Sequence, residues 1–196
     1  MLITLIVGSL AAYSFSRIGF RGSSQLYITY LATRTLPGIT YIIPLFILAK
    51  MLGLVDTLTG QIIITAAISL PFDIMILNEY FKTIPQDLLD AAKIDGLSMI
   101  GILLRIIWPL AKPGLAATAA WSFMSSWNMF LVQIIIAMTE KSMQAPVIAG
   151  MFVTDIDIDY GMLNTCGILS ALPPLIIAFI FQKYIISGII AGAVKG

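Results

Sequence analysis

The sequence predicts an all-α, polytopic transmembrane helical bundle of about five spans, and three observations carry that expectation. Of its 196 residues, 59% are hydrophobic and only 11% charged, where soluble domains carry about 25% charged residues. Its mean hydropathy is +1.00. Apolar runs of bilayer length recur along the chain, and one long polar stretch, Ile84 to Pro113, interrupts them. A formal net charge of +1 without a basic run excludes an electrostatic nucleic-acid surface. Histidine is absent and Cys166 is the lone cysteine. That removes His-based metal sites, histidine-dependent triads and internal disulfides, so no catalytic residue, no metal and no enzymatic chemistry are expected.

The first apolar segment, Met1 to Phe15, reaches only about 22 Å as a helix, short of a hydrocarbon core of about 30 Å. Arg17 and Arg21 follow it instead of preceding it, unlike a signal peptide. A second span is expected over about Gln25 to Leu52, kinked by Pro37, Gly38 and Pro44 and able to line a cavity. A third runs from about Thr57 to Asn78, a fourth from about Gly114 to Met138, and a last from about Met162 to Ser187. The segment from Lys141 to Tyr160 is too polar to span, and its alternating Asp155, Asp157 and Asp159 read as a solvated outer face, not a calcium loop. Gly188 to Gly196 is small and flexible, a loose terminus.

Within the polar stretch the spacing predicts an amphipathic helix starting at Pro85, where the missing N–H is not needed, with Asp87 in the first turn. Gln86, Asp87, Asp90 and Lys93 form one stripe, and Leu88, Leu89, Ala92 and Gly96 lie toward another. Gly96 ends or bends it, and Ser98 caps a second run, Met99 to Trp108, stopped by Pro109 and Pro113. Five alternating spans put Arg17, Arg21, Lys82, Lys93, Arg105, Lys112, Lys183 and Lys195 on one side with Arg34 near it. Only Lys50 and Lys141 fall toward the other, beside Asp56, Glu140, Asp155, Asp157 and Asp159. The polar stretch and the C-terminus are therefore expected in the cytoplasm.

Asp73 falls inside the third span. An acid there serves either as a functional group, as in an ion-coupled carrier, or as an interfacial carboxylate paired with Arg34 or reached by water. Trp127, Asn128 and Gln133 share the fourth span with Trp121. Their aromatic faces and amides suit either helix packing or a sugar-lined pathway, and Tyr41 and Asn78 are weaker candidates of the same kind.

Four segments carry a family resemblance. Asp90-Ala91-Ala92, three residues, Gly96, nine residues, Ile106, one residue and Trp108-Pro109 resemble the EAA loop of ATP-binding-cassette (ABC) importer permeases, with Asp90 for glutamate and Trp108 for leucine. Trp127-Asn128-Met129-Phe130 resembles the tryptophan-asparagine-glutamate-phenylalanine signature of the carbohydrate-importer members, with Met129 for the acid. The ending Gly192-Ala193-Val194-Lys195-Gly196 is similar to theirs, and Gly8 to Arg17 resembles the end of their second span. The resemblance implies a type I importer permease fold lacking its first span, through a truncated chain or a late start codon. It implies one transmembrane permease domain over 1–196 with a cytoplasmic coupling loop at 84–113.

It further implies that Asp87, Asp90, Ala91, Ala92 and Gly96 dock on an ATPase and that Gly192 to Gly196 lie near it. The implied partners are ABC ATPase subunits, as a dimer, which bind the ATP, together with a second homologous permease subunit and an extracellular or periplasmic solute-binding protein. Tyr41, Trp127, Asn128 and Gln133 are the candidate pathway residues for a sugar or oligosaccharide. The setting is the lipid of a prokaryotic cytoplasmic (inner) membrane. No cofactor is expected on this chain, which lacks a GxxxxGK[ST] phosphate loop. Two other readings stay open, an ion-coupled secondary carrier using Asp73 and an inactive truncated permease.

Overall fold

Each apolar run of the sequence is helical in the computed structural model, which describes residues 1–153 and 158–193, with side chains through residue 184. Among the described residues no strand forms beyond an isolated bridge between Val153 and Ile158. Helices Leu58–Lys82 and Tyr160–Tyr184 are each long and apolar enough to cross a membrane. Two broken pairs, Ser23–Thr35 with Gly38–Met51 and Met99–Leu110 with Lys112–Trp127, pass the same test together, and Leu2–Ile18 is a shorter apolar helix. The contacts divide the chain into two units, one of Met1–Thr35, Leu70–Ser122 and the stretch from Phe181, the other of Leu36–Ser69 and Phe123–Ile180.

In the first unit α1 (Leu2–Tyr13) opens into a wide π turn, Ser14–Ile18, and α2 (Ser23–Ala32) tightens into a 3₁₀ turn, Thr33–Thr35. The second half of α4 (Leu58–Lys82) leads into α5 (Gln86–Ile94). Beyond a turn at Gly96, α6 (Met99–Ile102), a π segment (Leu103–Ile107) and α7 (Trp108–Leu110) form one arm, which meets α8 (Lys112–Trp127) at a bend of 84°. Ile74, Leu77 and Phe81 recur at spacings of three and four on α4 and face Ala12 and Tyr13, Leu89 and Ala92, and Ile102, Leu103 and Ile107. Leu77, Phe81, Ile102 and Ile107 are fully buried, each contributing about 2 kcal/mol. Gly114 lets α8 approach α4 closely, since a Cβ there would lie 2.3 Å from the Tyr80 ring.

The second unit packs α3 (Gly38–Met51), the start of α4 and α9 (Phe130–Ile136) around Ile42, Ala49, Ile64, Val132 and Ile136. A short α10 (Ala145–Gly150) follows, then α11 (Tyr160–Ala193), whose Ile168, Leu172, Leu175, Ile176 and Phe179 are all exposed. A helix apolar all round and left exposed among the described residues suits lipid.

Several expectations change. The second span is broken, not merely kinked, because Pro37 forces Leu36 out of the helical region and itself precedes α3, while Pro44 is tolerated inside it. The third runs on to Lys82. The fourth stops at Trp127, where Asn128 and Met129 leave helical geometry before α9. Pro109 does not stop the second hairpin helix, because the π segment just before it opens the backbone around the missing N–H, and the break comes at Ala111. The last helix starts at Tyr160, where Asp159 accepts the Met162 N–H (2.9 Å). It continues to Ala193 instead of loosening at Gly188, since extending an existing helix adds one hydrogen bond per residue.

Candidate functional site

The hairpin from Ile84 to Pro113 is shaped first by local chemistry. Pro85 stands immediately before α5, Gly96 takes φ +79 beyond its end, and the Ser98 hydroxyl accepts the Gly101 N–H (3.1 Å) to start the return arm. Its two faces then differ. Leu89 (2% exposed) and Ala92 (3%) turn into the core of the first unit, so the small side chain at Ala92 serves the chain's own packing. Asp87, Asp90, Ala91 and Gly96 lie on the open face.

Sequence reading missed what accompanies them. Ile94 is 86% exposed, and Leu88, Met99 and Ile100 are also exposed, an apolar rim around acidic and small residues. The signal was present as apolar residues flanking the Gly96 turn in a charged stretch. Asp90 accepts from Lys93 Nζ (2.7 Å) and from Gln86 Nε2 (3.1 Å), and these bonds hold its carboxyl below the usual carboxylate range.

The four candidate pathway residues lie in the second unit and split into two pairs. Tyr41 and Asn128 line one cavity of about 230 Å³ with Gly38, Ile42, Met129 and Phe130. Trp127 and Gln133 do not line it. The Trp127 indole stacks on Phe123 (5.6 Å between centroids) and donates Nε1–H to the Ser170 carbonyl (2.9 Å), while buried Gln133 donates to Thr65 Oγ1 (3.1 Å). Asn128 stands at the break that shapes the cavity wall, its side-chain amide joining its own backbone N–H on the Met124 carbonyl (2.8 and 3.1 Å).

Asp73 is wholly buried in the first unit. The hydroxyls of Ser122 and Thr4 are its neighbours, yet they hydrogen-bond each other (2.8 Å). Of the alternatives for Asp73, an ion pair with Arg34 does not form among the described residues; that guanidinium lies 5.5 Å from the Phe72 ring centroid. Asn78 is buried and donates to Glu79 Oε1 (3.1 Å). Gly192 and Ala193 end the described backbone of α11; Asp155, Asp157, Val194, Lys195 and Gly196 lie outside the described residues. Among the described residues no three metal-ligating side chains converge.

With this geometry in view, comparison with known proteins gives a consistent result. Residues 4–191 match the family model described as "Binding-protein-dependent transport system inner membrane component". The chain is 37% identical to the trehalose/maltose transport system permease protein MalG of Thermococcus litoralis, over all of this chain and 70% of that one. It is 33% identical to the trehalose transport system permease protein SugB of Mycobacterium tuberculosis, over 99% of this chain and 72% of the relative. Similarity to the arabinooligosaccharides transport system permease protein AraQ of Bacillus subtilis is 32%, over 99% and 68%. Among solved structures, a chain of a bacterial ABC transporter that imports the acidic polysaccharide alginate aligns with a TM-score of 0.78 at 23% identity, over 94% of this chain and 69% of that one, which supports the fold.

Proposed function

The chain belongs to the binding-protein-dependent transport system inner membrane components, and from that premise we propose that it imports a sugar or oligosaccharide by docking its 84–113 hairpin on a cassette ATPase. It is a multi-pass membrane permease of the ABC importer class, not itself an enzyme, and transport is driven by a separate ATPase. The sugar assignment rests on the names of relatives that carry trehalose, maltose and arabinooligosaccharides.

The observation that carries the docking role is the two-faced α5. Its inner face is fastened to the permease core through Leu89 and Ala92, and its outer face offers Asp87, Asp90, Ala91 and Gly96 inside a rim of Leu88, Ile94, Met99 and Ile100. Exposed apolar side chains on an otherwise polar connection suit a protein partner. Here the whole chain acts as one permease domain, and the cation asymmetry puts the hairpin and the C-terminal tail in the cytoplasm of a cell whose inner membrane it spans. ATP resides on the ATPase pair, and a second permease subunit completes the pathway. An outer solute-binding protein delivers the sugar toward the Tyr41–Asn128 cavity, whose aromatic face and amide suit a sugar ring. Closure of the ATPases on ATP then displaces the hairpin and, with it, the helices it is fastened to.

Ala91→Leu and Ile94→Glu test this, since both side chains are exposed and neither belongs to the permease core. The expected result is normal membrane insertion with loss of ATPase copurification and of sugar uptake. Unchanged copurification and uptake in both variants would sink the docking role.

A further inference from the structure

We infer that Arg17 is the positioning residue through which a displaced α5 pulls on α1, an inference that rests on the coupling role proposed above. The Arg17 guanidinium donates from Nε and Nη2 to the Phe81 carbonyl (3.0 and 2.5 Å), from Nη2 also to the Ile84 carbonyl, and from Nη1 to Gln86 Oε1 (3.0 Å). Gln86 Nε2 in turn donates to Asp90 Oδ1, which also accepts from Lys93. One unbroken polar chain therefore leads from the foot of α1 to the open face of α5.

Three features make this more than a surface contact. Phe81 and Ile84 lie at and just past the C-terminal end of α4, where Phe81 has Pro85 four residues on and accepts only the Ile84 N–H (3.2 Å) from the backbone, and where a cation is favoured. Arg17 belongs to the π turn Ser14–Ile18, whose extra residue per turn re-aims side chains relative to a regular helix. Beside this polar chain, Ala12 and Tyr13 of α1 share an apolar core with Leu89 and Ala92 of α5. Close packing resists compression but is non-directional, whereas hydrogen bonds fail when donors slide off axis. The arginine thus supplies the resistance to shear, and only its planar fork serves two carbonyls and an amide together.

The test uses the chain assembled with its ATPase partner in lipid nanodiscs. Spin labels are placed at Leu10→Cys on α1 and Asp95→Cys just past α5, both exposed, in a Cys166→Ser background. With Arg17 present, the label-to-label distance distribution is expected to be narrow and unchanged by a non-hydrolysable ATP analogue, because the two helices move as one body. Arg17→Ala, which removes several charge-assisted bonds, is expected to broaden it about twofold and to let the analogue displace one label relative to the other. Arg17→Lys gives an intermediate width. Gln86→Ala, at an exposed position, cuts only the last link and broadens it less, and it carries the test should Arg17→Ala fail to fold. A narrow, nucleotide-insensitive distribution in the alanine variants overturns the inference, as does a lowered melting temperature with the distribution unchanged. If no ATPase copurifies even with Arg17 intact, the coupling role falls, while the nucleotide-free widths still decide the clamp.

Discussion

Asp56 in the second unit and Arg17 in the first each fasten two connecting segments through one charged side chain, but one network closes on itself and the other ends on an open surface. The Asp56 carboxylate accepts the N–H groups of Met138 (2.9 Å) and Thr139 (2.8 Å), the Thr139 hydroxyl (2.8 Å) and the Ser142 hydroxyl, while its own N–H donates to the Ile136 carbonyl (2.9 Å). It does so at φ +58, a conformation a short polar side chain tolerates. Those bonds, from Ser142 first and then Thr139, lower its carboxyl to about 2. Every group in that clasp is answered within the unit. Arg17's network instead continues through Gln86 to Asp90, beside Ile94, which is left exposed among the described residues. A closed clasp holds a loop in place; an open one can hand a displacement on.

Five substitutions break or sharpen that contrast. Gly60→Ala has the largest expected effect, since the new methyl would lie 2.0 Å from the Leu54 carbonyl that the Thr57 hydroxyl uses beside the Asp56 clasp. A loss of about 3 kcal/mol, seen as failed expression or a much lower melting temperature, is expected from such overpacking. Next, Ala92→Leu on the inner face of α5 is expected to cost about 2 kcal/mol, while Ala91→Leu one residue away stays within about 0.5 kcal/mol. Equal melting temperatures for that pair would erase the distinction between the two faces.

Asp56→Asn is expected to act through pH. The native carboxyl's contribution is fully present above its unfolded value of 3.8 and is lost as pH falls through about 2, so native and variant stabilities converge on acidification from about pH 5 to about pH 2. Parallel melting curves across that range would show that the clasp carries no charge-dependent stability. The smallest effect on stability is expected from Ile94→Glu, which changes it by no more than about 0.5 kcal/mol, read as a near-native melting temperature, and abolishes ATPase copurification.

Much of the hairpin was legible because its signals are local. The stop at Gly96, the Ser98 cap and the start of α5 each depend on a few neighbouring residues. The break after Asn128 was not, since Trp127 to Phe130 sits in a long apolar run and only the fold moves the Met129 N–H onto the Ser126 carbonyl (3.4 Å). For the same reason the candidate pathway residues looked like one set, whereas Tyr41 and Asn128 share a cavity and Trp127 and Gln133 are engaged by Ser170 and Thr65.

From its residues alone this chain was bound to be helical and to seek a membrane. Apolar runs without backbone partners in lipid must hydrogen-bond within themselves, and no distant residue enters that requirement. Tertiary structure alone decided which face of α5 is spent on packing, whether Asp73 meets Arg34, and where Arg17 and Asp56 find partners dozens of residues away. Those outcomes depend on where separate helices come to rest against one another, and periodicity along one segment carries no information about its neighbour's register.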